Sequence, residues 1–235
     1  MSADISSRIQ ELCDLRVLTW AQRLQLEKIL VMLTEDPRAP TSVRDPGLAV
    51  DVHLADSLEA LDLEIVRKGT TIVDIGAGAG LPGLPLAVSL PLSKVTLVES
   101  QVRKCAFMES VSVAANIGNV EVVCGRVEEW SEGIGMYEVV LARAVAAQPV
   151  VLEYAAPLLQ LGGALVDWRG RRDPGEERKA VAAAELLGLR VESIQRVKPY
   201  EGVRDHHLHV YTKVDETPAR FPRRAGMARK KPLIA

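Results

Sequence analysis

The most informative stretch of this chain is Thr71-Ile-Val-Asp74-Ile-Gly76-Ala-Gly78-Ala-Gly80-Leu-Pro-Gly83. Its first five residues are largely apolar and β-branched, which is typical of a buried strand, and Pro82 is typical of the first turn of a helix. Glycines between the two let the backbone turn sharply and lie close to a ligand, and the start of the helix offers unpaired N–H groups. The stretch therefore predicts a strand, a ligand-binding loop and a helix, in that order.

The glycines of this loop fit two classes of ligand. Residues 78–83 match the dinucleotide pattern G-x-G-x-x-G, a match that is weak on its own. In a second frame, Asp74 ends the strand two residues before Gly76. A carboxylate there would repel a pyrophosphate and attract a sulfonium or an ammonium group. Asp74 therefore favours S-adenosylmethionine over a nicotinamide dinucleotide, although a carboxylate that accepts N–H bonds from the loop is compatible with both.

Outward from this loop, short apolar runs alternate with stretches of helical spacing. Strands are predicted at residues 71–75, 94–98, 120–123, 137–142 and 164–167, and helices at 81–90, 102–116, 149–161 and 176–187. Apolar strands with helices between them predict an α/β fold with a doubly wound parallel sheet that is covered on both faces. Two further strand-like runs, at 189–198 and 207–214, have no helix between them and predict an antiparallel end to the sheet.

The first third of the chain is predicted to be helical. Residues 3–34 have helical spacing, with Thr19 and Gln22 in positions typical of a capping box. A proline-containing loop is predicted at 35–47, and helical spacing returns from Leu48 to Asp62. We therefore divide the chain into an N-terminal helical cap at 1–65, a sheet domain at 66–217 and a basic segment at 218–235.

Candidate ligand-binding residues follow the second, third and fourth predicted strands. Glu99 comes 19 residues after Gly80, where a carboxylate can accept both hydroxyls of a ribose. The backbone N–H groups of Val127 and Glu128 are candidates to bind the edge of an adenine. Arg143 closes the fourth strand, at the edge where doubly wound folds bind ligands, and is a candidate to hold the donor or a guanine. A structural salt bridge is the alternative for Arg143.

Composition and charge narrow the class of protein. Of 235 residues, 48% are hydrophobic and 26% charged, which excludes disordered and fibrous classes. Three widely spaced cysteines disfavour a disulfide framework and a structural zinc site, and no run is apolar enough for a membrane span or a signal peptide. We therefore expect a cytoplasmic protein. Metal binding is not predicted, because only His207 and His209 share a strand face and no third ligand is evident.

The net charge of −2 conceals an asymmetry. Residues 218–235 hold six basic residues and no acidic one, whereas the other 217 residues hold 23 basic and 31 acidic ones. This basic segment predicts a polyanionic partner that is bound by one surface. Two alternatives stay open, namely a solvated segment and a structural one in which Phe221 and Leu233 pack on the sheet.

Several motifs between residues 24 and 233 resemble one known family. They are Thr41-Ser-Val-Arg-Asp-Pro46, His53-Leu-Ala-Asp56-Ser57-Leu58, Asp74-Ile-Gly-Ala-Gly-Ala-Gly-Leu-Pro-Gly-Leu-Pro85, Glu99-Ser100 with Arg103-Lys104, Gly125-Arg-Val-Glu-Glu129, Ala142-Arg143-Ala144 and Phe221-Pro-Arg-Arg-Ala-Gly226. With these motifs the chain resembles the bacterial small-subunit ribosomal RNA guanine-N7 methyltransferases, also called the glucose-inhibited division protein B family.

The resemblance implies a fold and an activity. The fold is a Rossmann-like class I S-adenosylmethionine-dependent methyltransferase, with a mostly parallel, doubly wound, seven-stranded sheet and an N-terminal helical cap. The activity is methylation of N7 of a guanine in 16S (small-subunit) ribosomal RNA, with S-adenosyl-L-methionine as donor, the RNA or the 30S particle as partner, and a monomer as the active form. The candidate donor-binding residues are then Asp74, Gly76, Gly78, Leu81, Glu99, Val127, Glu128 and Arg143, and the candidate RNA-binding residues are His53, Arg169, Arg223, Arg224, Arg229 and Lys230.

The chemistry of guanine N7 defines what the site has to do. N7 carries a lone pair in the ring plane, so no obligatory general base is predicted, and positioning, here assigned to Arg143, is the main requirement. Arg169 stands where the family commonly has lysine, which keeps the charge and changes its geometry. The alternatives are a methyltransferase that acts on another RNA, a protein or a small molecule, and a non-catalytic RNA-binding module with a metabolite-sensing pocket.

Overall fold

The computed structural model describes residues 2–203 and 205–234 and centres on a seven-stranded sheet. The strands are β1 Thr71–Ile75, β2 Lys94–Glu99, β3 Val120–Cys124, β4 Tyr137–Arg143, β5 Leu159–Arg169, β6 Leu189–Val197 and β7 His206–Lys213. Their order is β3-β2-β1-β4-β5-β7-β6, parallel from β3 to β5, with β7 antiparallel to both β5 and β6. The predicted doubly wound sheet with an antiparallel end is confirmed.

Helices surround this sheet. They are α1 Ala3–Leu15, α2 Trp20–Glu35, α3 Pro46–Ala49, α4 Asp56–Leu58, α5 Glu64–Lys68, α6 Gly83–Ser89, α7 Val102–Ala114, α8 Gln148–Ala155, α9 Pro174–Leu186 and α10 Met227–Lys230. A π-helical turn at Val50–Ala55 joins α3 to α4, and a 3₁₀ turn at Glu59–Asp62 follows. Within the described residues, no helix combines the length and the apolar character that crossing a membrane requires.

One face of the sheet is covered by the cap together with α6 and α7. Ile72 of β1 and Leu97 of β2 belong to one hydrophobic core with Leu30 of α2 and Leu58 of α4. Because strand side chains alternate, Val73 of β1 points to the other face, where it packs with α8 and α9. Both faces are therefore buried, which explains why the central strands are uninterrupted apolar runs.

The region predicted to be helical at 3–34 divides into two helices, and the end of one other predicted helix is wrong. The region 3–34 forms two helices, because the chain turns after Leu15 and Val17 adopts a φ of 55°. The predicted capping box of Thr19 and Gln22 starts the second helix. The helix predicted at 149–161 ends at Ala155, and Leu159–Gly163 lengthen β5 instead. A short apolar run does not distinguish helix from strand, and pairing with β4 decides it here.

The basic C-terminal segment packs on the sheet face that carries α8. Phe221 and Ala228 are 8% and 1% exposed, and Leu233 packs against the same core. Arg223 donates two side-chain hydrogen bonds to Glu153 of α8, from Nε to Oε1 at 2.8 Å and from a terminal nitrogen to Oε2 at 2.5 Å. The sequence left open a solvated segment and a segment in which Phe221 and Leu233 pack on the sheet. The structure shows the packed segment.

We expect Arg223→Ala to destabilise the fold, because Glu153 is fully buried and would lose its counter-charge. Since Arg223 itself is partly exposed, we expect a loss of roughly 2–3 kcal/mol in the free energy of unfolding. For a chain of this length that is a fall of roughly 4–12 °C in melting temperature, measurable by calorimetry. Arg224→Ala is the matched control, since Arg224 is exposed and the same charge is removed. Equal melting temperatures of the two variants would contradict the assignment.

Candidate functional site

A cleft opens at the carboxyl ends of β1 and β2, the edge at which the sequence predicts ligand binding. Its volume is about 450 Å³, within the range of sites for small molecules. The loops after β1, β2, β3 and β4 form its walls, together with α8 and the C-terminal segment. The predicted residues Gly76, Glu99, Val127 and Glu128 all line it.

The glycines of the loop after β1 serve two different purposes. Gly76 borders the cleft with a φ of 66°, and a Cβ atom there would lie 3.1 Å from Cγ2 of Val145. A side chain at Gly76 would therefore be strained and would crowd the site. Gly83 has no part in the cleft wall, and its Cβ would lie 2.3 Å from Cδ2 of Leu97. The first glycine keeps the backbone bare beside the cleft, and the last lets α6 lie against the sheet.

Asp74 lies behind the glycine loop rather than on the cleft wall. It is 1% exposed, and its Oδ2 accepts the N–H of Gly83 at 2.8 Å. Burial raises the pKa of this carboxyl to about 7, against the lowering effects of the Gly83 N–H and of Arg143. Acceptance of a loop N–H, which the sequence left open, is what the structure shows. An attraction between Asp74 and a bound donor stays a prediction.

Glu99 occupies the position expected of a ribose-binding carboxylate. It is 6% exposed and lines the cleft at the end of β2. Its Oε2 accepts the N–H of Gly78 at 3.2 Å, and its Oε1 accepts the N–H of Gln101 at 2.9 Å. The Nζ of Lys104 lies 3.8 Å from Oε2. Oε1 also accepts the hydroxyl of Ser100 at 3.3 Å, whereas Oε2 keeps a further lone pair that can accept a hydroxyl proton from the cleft.

Val127 and Glu128 lie in a 3₁₀ turn that follows β3 and faces the cleft. The side chain of Glu128 turns toward the C-terminal segment, where its Oε1 accepts the N–H of Gly226 at 3.0 Å. This leaves the turn itself, with the isopropyl group of Val127, as the cleft surface available to a flat apolar ring.

Arg143 connects the sheet to the cap and does not line the cleft. One terminal nitrogen donates to Oδ2 of Asp56 at 2.8 Å and to the carbonyl oxygen of Val52 at 3.3 Å. Asp56 also accepts a hydrogen bond from Nδ1 of His206 at 3.1 Å. The salt bridge that the sequence left open for Arg143 is therefore present. A contact of Arg143 with a donor or a guanine stays a prediction.

Three other predicted residues also lie away from the cleft. Leu81 belongs to the hydrophobic core below the cap. His53 is buried in the π-helical turn, with Nε2 2.9 Å from the hydroxyl of Thr41, and burial lowers its pKa to about 4. Arg169 donates to Oδ2 of Asp167 at 2.7 Å. Donor binding by Leu81 and RNA binding by His53 and Arg169 remain predictions, and this placement does not support them.

The C-terminal candidates divide between the interior and the surface. Arg223 is held by Glu153, as described above, whereas Arg224 and Lys230 are exposed. Arg229 lines the cleft, and so does Tyr154 of α8. The sequence did not predict Tyr154 as a cleft residue. It lies in α8, the helix after β4, and no motif of the sequence connects that helix to the cleft. In the described parts of the chain, no three His, Cys, Asp or Glu side chains are grouped so as to hold a metal ion.

The sheet order and the cleft define the class. A "SAM dependent methyltransferase" from Aquifex aeolicus superposes with a TM-score of 0.57 at 19% identity, over 71% of this chain and 93% of that chain. The [4+2]-cyclase SpnF has the same TM-score at 12% identity, over 83% and 96% of the two chains. The chain therefore has the class I methyltransferase fold, which is not restricted to one chemistry.

The sequence comparisons identify the family. The family model "rRNA small subunit methyltransferase G" matches residues 25–207. "Ribosomal RNA small subunit methyltransferase G" of Rubrobacter xylanophilus is 36% identical over 215 residues, which are 88% of this chain and 82% of that protein. The chain belongs to this family. The resemblance noted in the sequence is confirmed, and so is the prediction of an S-adenosylmethionine-dependent methyltransferase.

We expect Glu99→Ala to weaken the binding of S-adenosylhomocysteine without unfolding the protein. A charged hydrogen bond contributes about 1.5–3 kcal/mol, so the dissociation constant should rise roughly ten- to 150-fold. Isothermal titration calorimetry measures it, with Glu185→Ala as the control because Glu185 is exposed on α9. Wild-type affinity in Glu99→Ala would reject the ribose-binding assignment.

Asp74 should make stability depend on pH. Its pKa is raised by burial to about 7, so between pH 4 and 7 the unfolded chain loses this proton while the folded chain keeps it. This contribution to stability is complete below about pH 4 and is lost as the pH rises to about 7.

Asp74→Asn removes this titration and keeps an oxygen that can accept the Gly83 N–H. The melting temperature of the variant, relative to that of the wild type, should therefore rise between pH 4.5 and pH 8. The other titrating groups are the same in the variant and the wild type, so their effects largely cancel in the difference between the two melting temperatures. Two melting curves that stay parallel across this pH range would refute the raised pKa.

Proposed function

We propose that this chain transfers a methyl group from S-adenosyl-L-methionine to N7 of a guanine in 16S ribosomal RNA, with the donor bound in the cleft beside Gly76 and Glu99. The observation that carries the proposal is a bare glycine backbone and a fixed carboxylate in one cleft, in a member of this family. We place the enzyme in the cytoplasm, with the small-subunit RNA or the 30S particle as its substrate and a monomer as its active form.

The residues present fit an adenosine-containing donor. Glu99 is held by backbone N–H groups at a strand end and can accept ribose hydroxyls. The 3₁₀ turn at Val127 offers an apolar surface for a purine. At Gly76 the missing Cβ leaves room next to Val145, so a ligand can approach the backbone closely.

Transfer of the methyl group then requires mainly that guanine N7 be aligned with the methyl group of the donor. When bound, the donor supplies a methyl group on a positively charged sulfur atom. Guanine N7 has a free lone pair at neutral pH, so no residue of the chain has to accept a proton first. The residues around the cleft hold the reactants in line, which is a large part of the rate enhancement available to such a transfer. Glu99 and the glycine loop do this by binding and orienting.

Positive charge beside the cleft suits an RNA substrate. Arg126 lines the cleft and is exposed, and Arg224 and Lys230 are exposed in the C-terminal segment. Their guanidinium and ammonium groups would attract RNA phosphates. These surface residues support RNA binding better than the buried His53 does.

The test is incubation of the protein with methyl-labelled donor and 30S particles, naked small-subunit RNA or, as a control, large-subunit RNA. We expect label in the small-subunit RNA alone. Reduction with borohydride and cleavage with aniline should then break that RNA at the labelled guanine, because methylation at N7 makes the base labile. Label confined to large-subunit RNA, or label that resists this cleavage, would contradict the proposal.

A matched pair of variants ties the reaction to the cleft. At a donor concentration below the wild-type KM, Glu99→Ala should lose most of the methylation, while Glu185→Ala should retain it. Methylation by Glu99→Ala at the wild-type rate, under donor-limiting conditions, would place the donor elsewhere.

A further inference from the structure

We infer that the C-terminal segment is part of the donor site, and that Arg229 binds the donor through its adenine ring. This inference rests on the donor being bound in the cleft beside Glu99. It assigns to residues 221–230 a role distinct from RNA binding, because this segment places Arg229 in the wall of the cleft.

The segment is fixed to the domain at both sides of Arg229. On one side, Phe221 is buried and Arg223 is held by the fully buried Glu153. On the other, Leu233 packs against the core beneath α8, and the carbonyl oxygen of Lys231 accepts a hydrogen bond from Arg223 at 2.8 Å. Between them, the N–H of Gly226 donates to Glu128, a residue of the turn proposed to face the adenine. The segment thus packs directly against the purine end of the cleft.

Arg229 is held at the cleft by a hydrogen bond to the backbone and lies beside Tyr154. A terminal nitrogen donates to the carbonyl oxygen of Val145 at 3.0 Å. The side chain of Tyr154 lies beside the charged groups of Arg229 and Glu128, and both groups act on the pKa of its hydroxyl. Arg229, Tyr154, Val145 and Glu128 all line the same cleft. The guanidinium is therefore placed among the residues that surround the proposed purine position.

A guanidinium at this place suits an adenine in particular. Its planar, weakly hydrated cation stacks well on aromatic faces. The donor carries no phosphate, and its carboxylate belongs to the methionine part rather than to the purine, so charge pairing does not explain a cation at the purine end. The acidic residues Glu128 and Glu153 already bind other groups of the segment. The remaining bases Arg220, Arg224, Lys230 and Lys231 are exposed. The segment therefore has an inner side that faces the donor and an outer side that is open to solvent.

The first test compares Arg229→Ala with Lys230→Ala. The two variants remove the same charge from adjacent, exposed positions, and only Arg229 lines the cleft. We expect Arg229→Ala to weaken S-adenosylhomocysteine binding roughly five- to thirty-fold, and Lys230→Ala to change it less than about two-fold. The melting temperature without ligand should be the same in both. Wild-type affinity in Arg229→Ala, or equal losses in both variants, would overturn the inference.

The second test needs no variant. Trypsin needs an extended backbone, so it cleaves after Arg229 and Lys230 only when α10 unfolds locally, and a ligand that contacts this helix suppresses the unfolding. Saturating S-adenosylhomocysteine should slow cleavage at these sites several-fold more than cleavage after Lys68, which lies at the amino end of the sheet. Equal slowing at both places would mean general stabilisation and would overturn the inference.

The two proposals can fail separately. If Glu99→Ala keeps its affinity for S-adenosylhomocysteine, the donor is not in this cleft and the proposed site is wrong. If Glu99→Ala loses affinity while Arg229→Ala and tryptic cleavage show no effect of the segment, the donor site stands and only the inference about the segment is wrong.

Discussion

The hydrogen bond from the Gly83 N–H to the buried carboxylate of Asp74 joins the end of β1 to the start of α6, and the site depends on it. Residues 76–80 span the gap between these two fixed points, so the loop has little freedom. A further bond, from the N–H of Gly78 to Glu99, connects the loop to β2. The bare backbone at Gly76 and the carboxylate of Glu99 are thereby held at the carboxyl ends of the adjacent strands β1 and β2 before any ligand arrives.

Local features of the sequence predict the sheet and the loop well. The apolar runs gave β1 to β4 nearly residue by residue, because strands that are buried on both faces need continuous apolar side chains. Glu99 could be placed because it follows a strand at a fixed distance from the glycines. The role of Asp74 could not be predicted, because the pattern gives its position in the chain but not the direction in which its side chain points. Alternation along β1 turns its side chain toward α6, on the same face as Ile72.

Contacts between distant parts of the chain are the ones that sequence patterns miss. Arg143 pairs with Asp56, 87 residues earlier, and Tyr154 meets Arg229 near the end of the chain. Asp56 is 4% exposed, and its carbonyl oxygen also accepts the indole N–H of Trp168 at 3.0 Å. One residue of the cap thus binds β4, β5 and β7 at their site-facing edge. The orientation of the cap over this edge follows from that convergence, which no local spacing reveals.

The ion pair of Glu153 and Arg223 has a consequence for the order of folding. During synthesis the ribosome makes Glu153 70 residues before its partner. Until Arg223 emerges, α8 carries a carboxylate that the apolar interior cannot accept in charged form without a counter-charge. The face of the sheet that holds the cap can be completed from residues up to β7, whereas the opposite face has to wait for the basic segment. The direction of synthesis therefore sets the order in which the two halves of the core form, and the half that contains α8 is completed last.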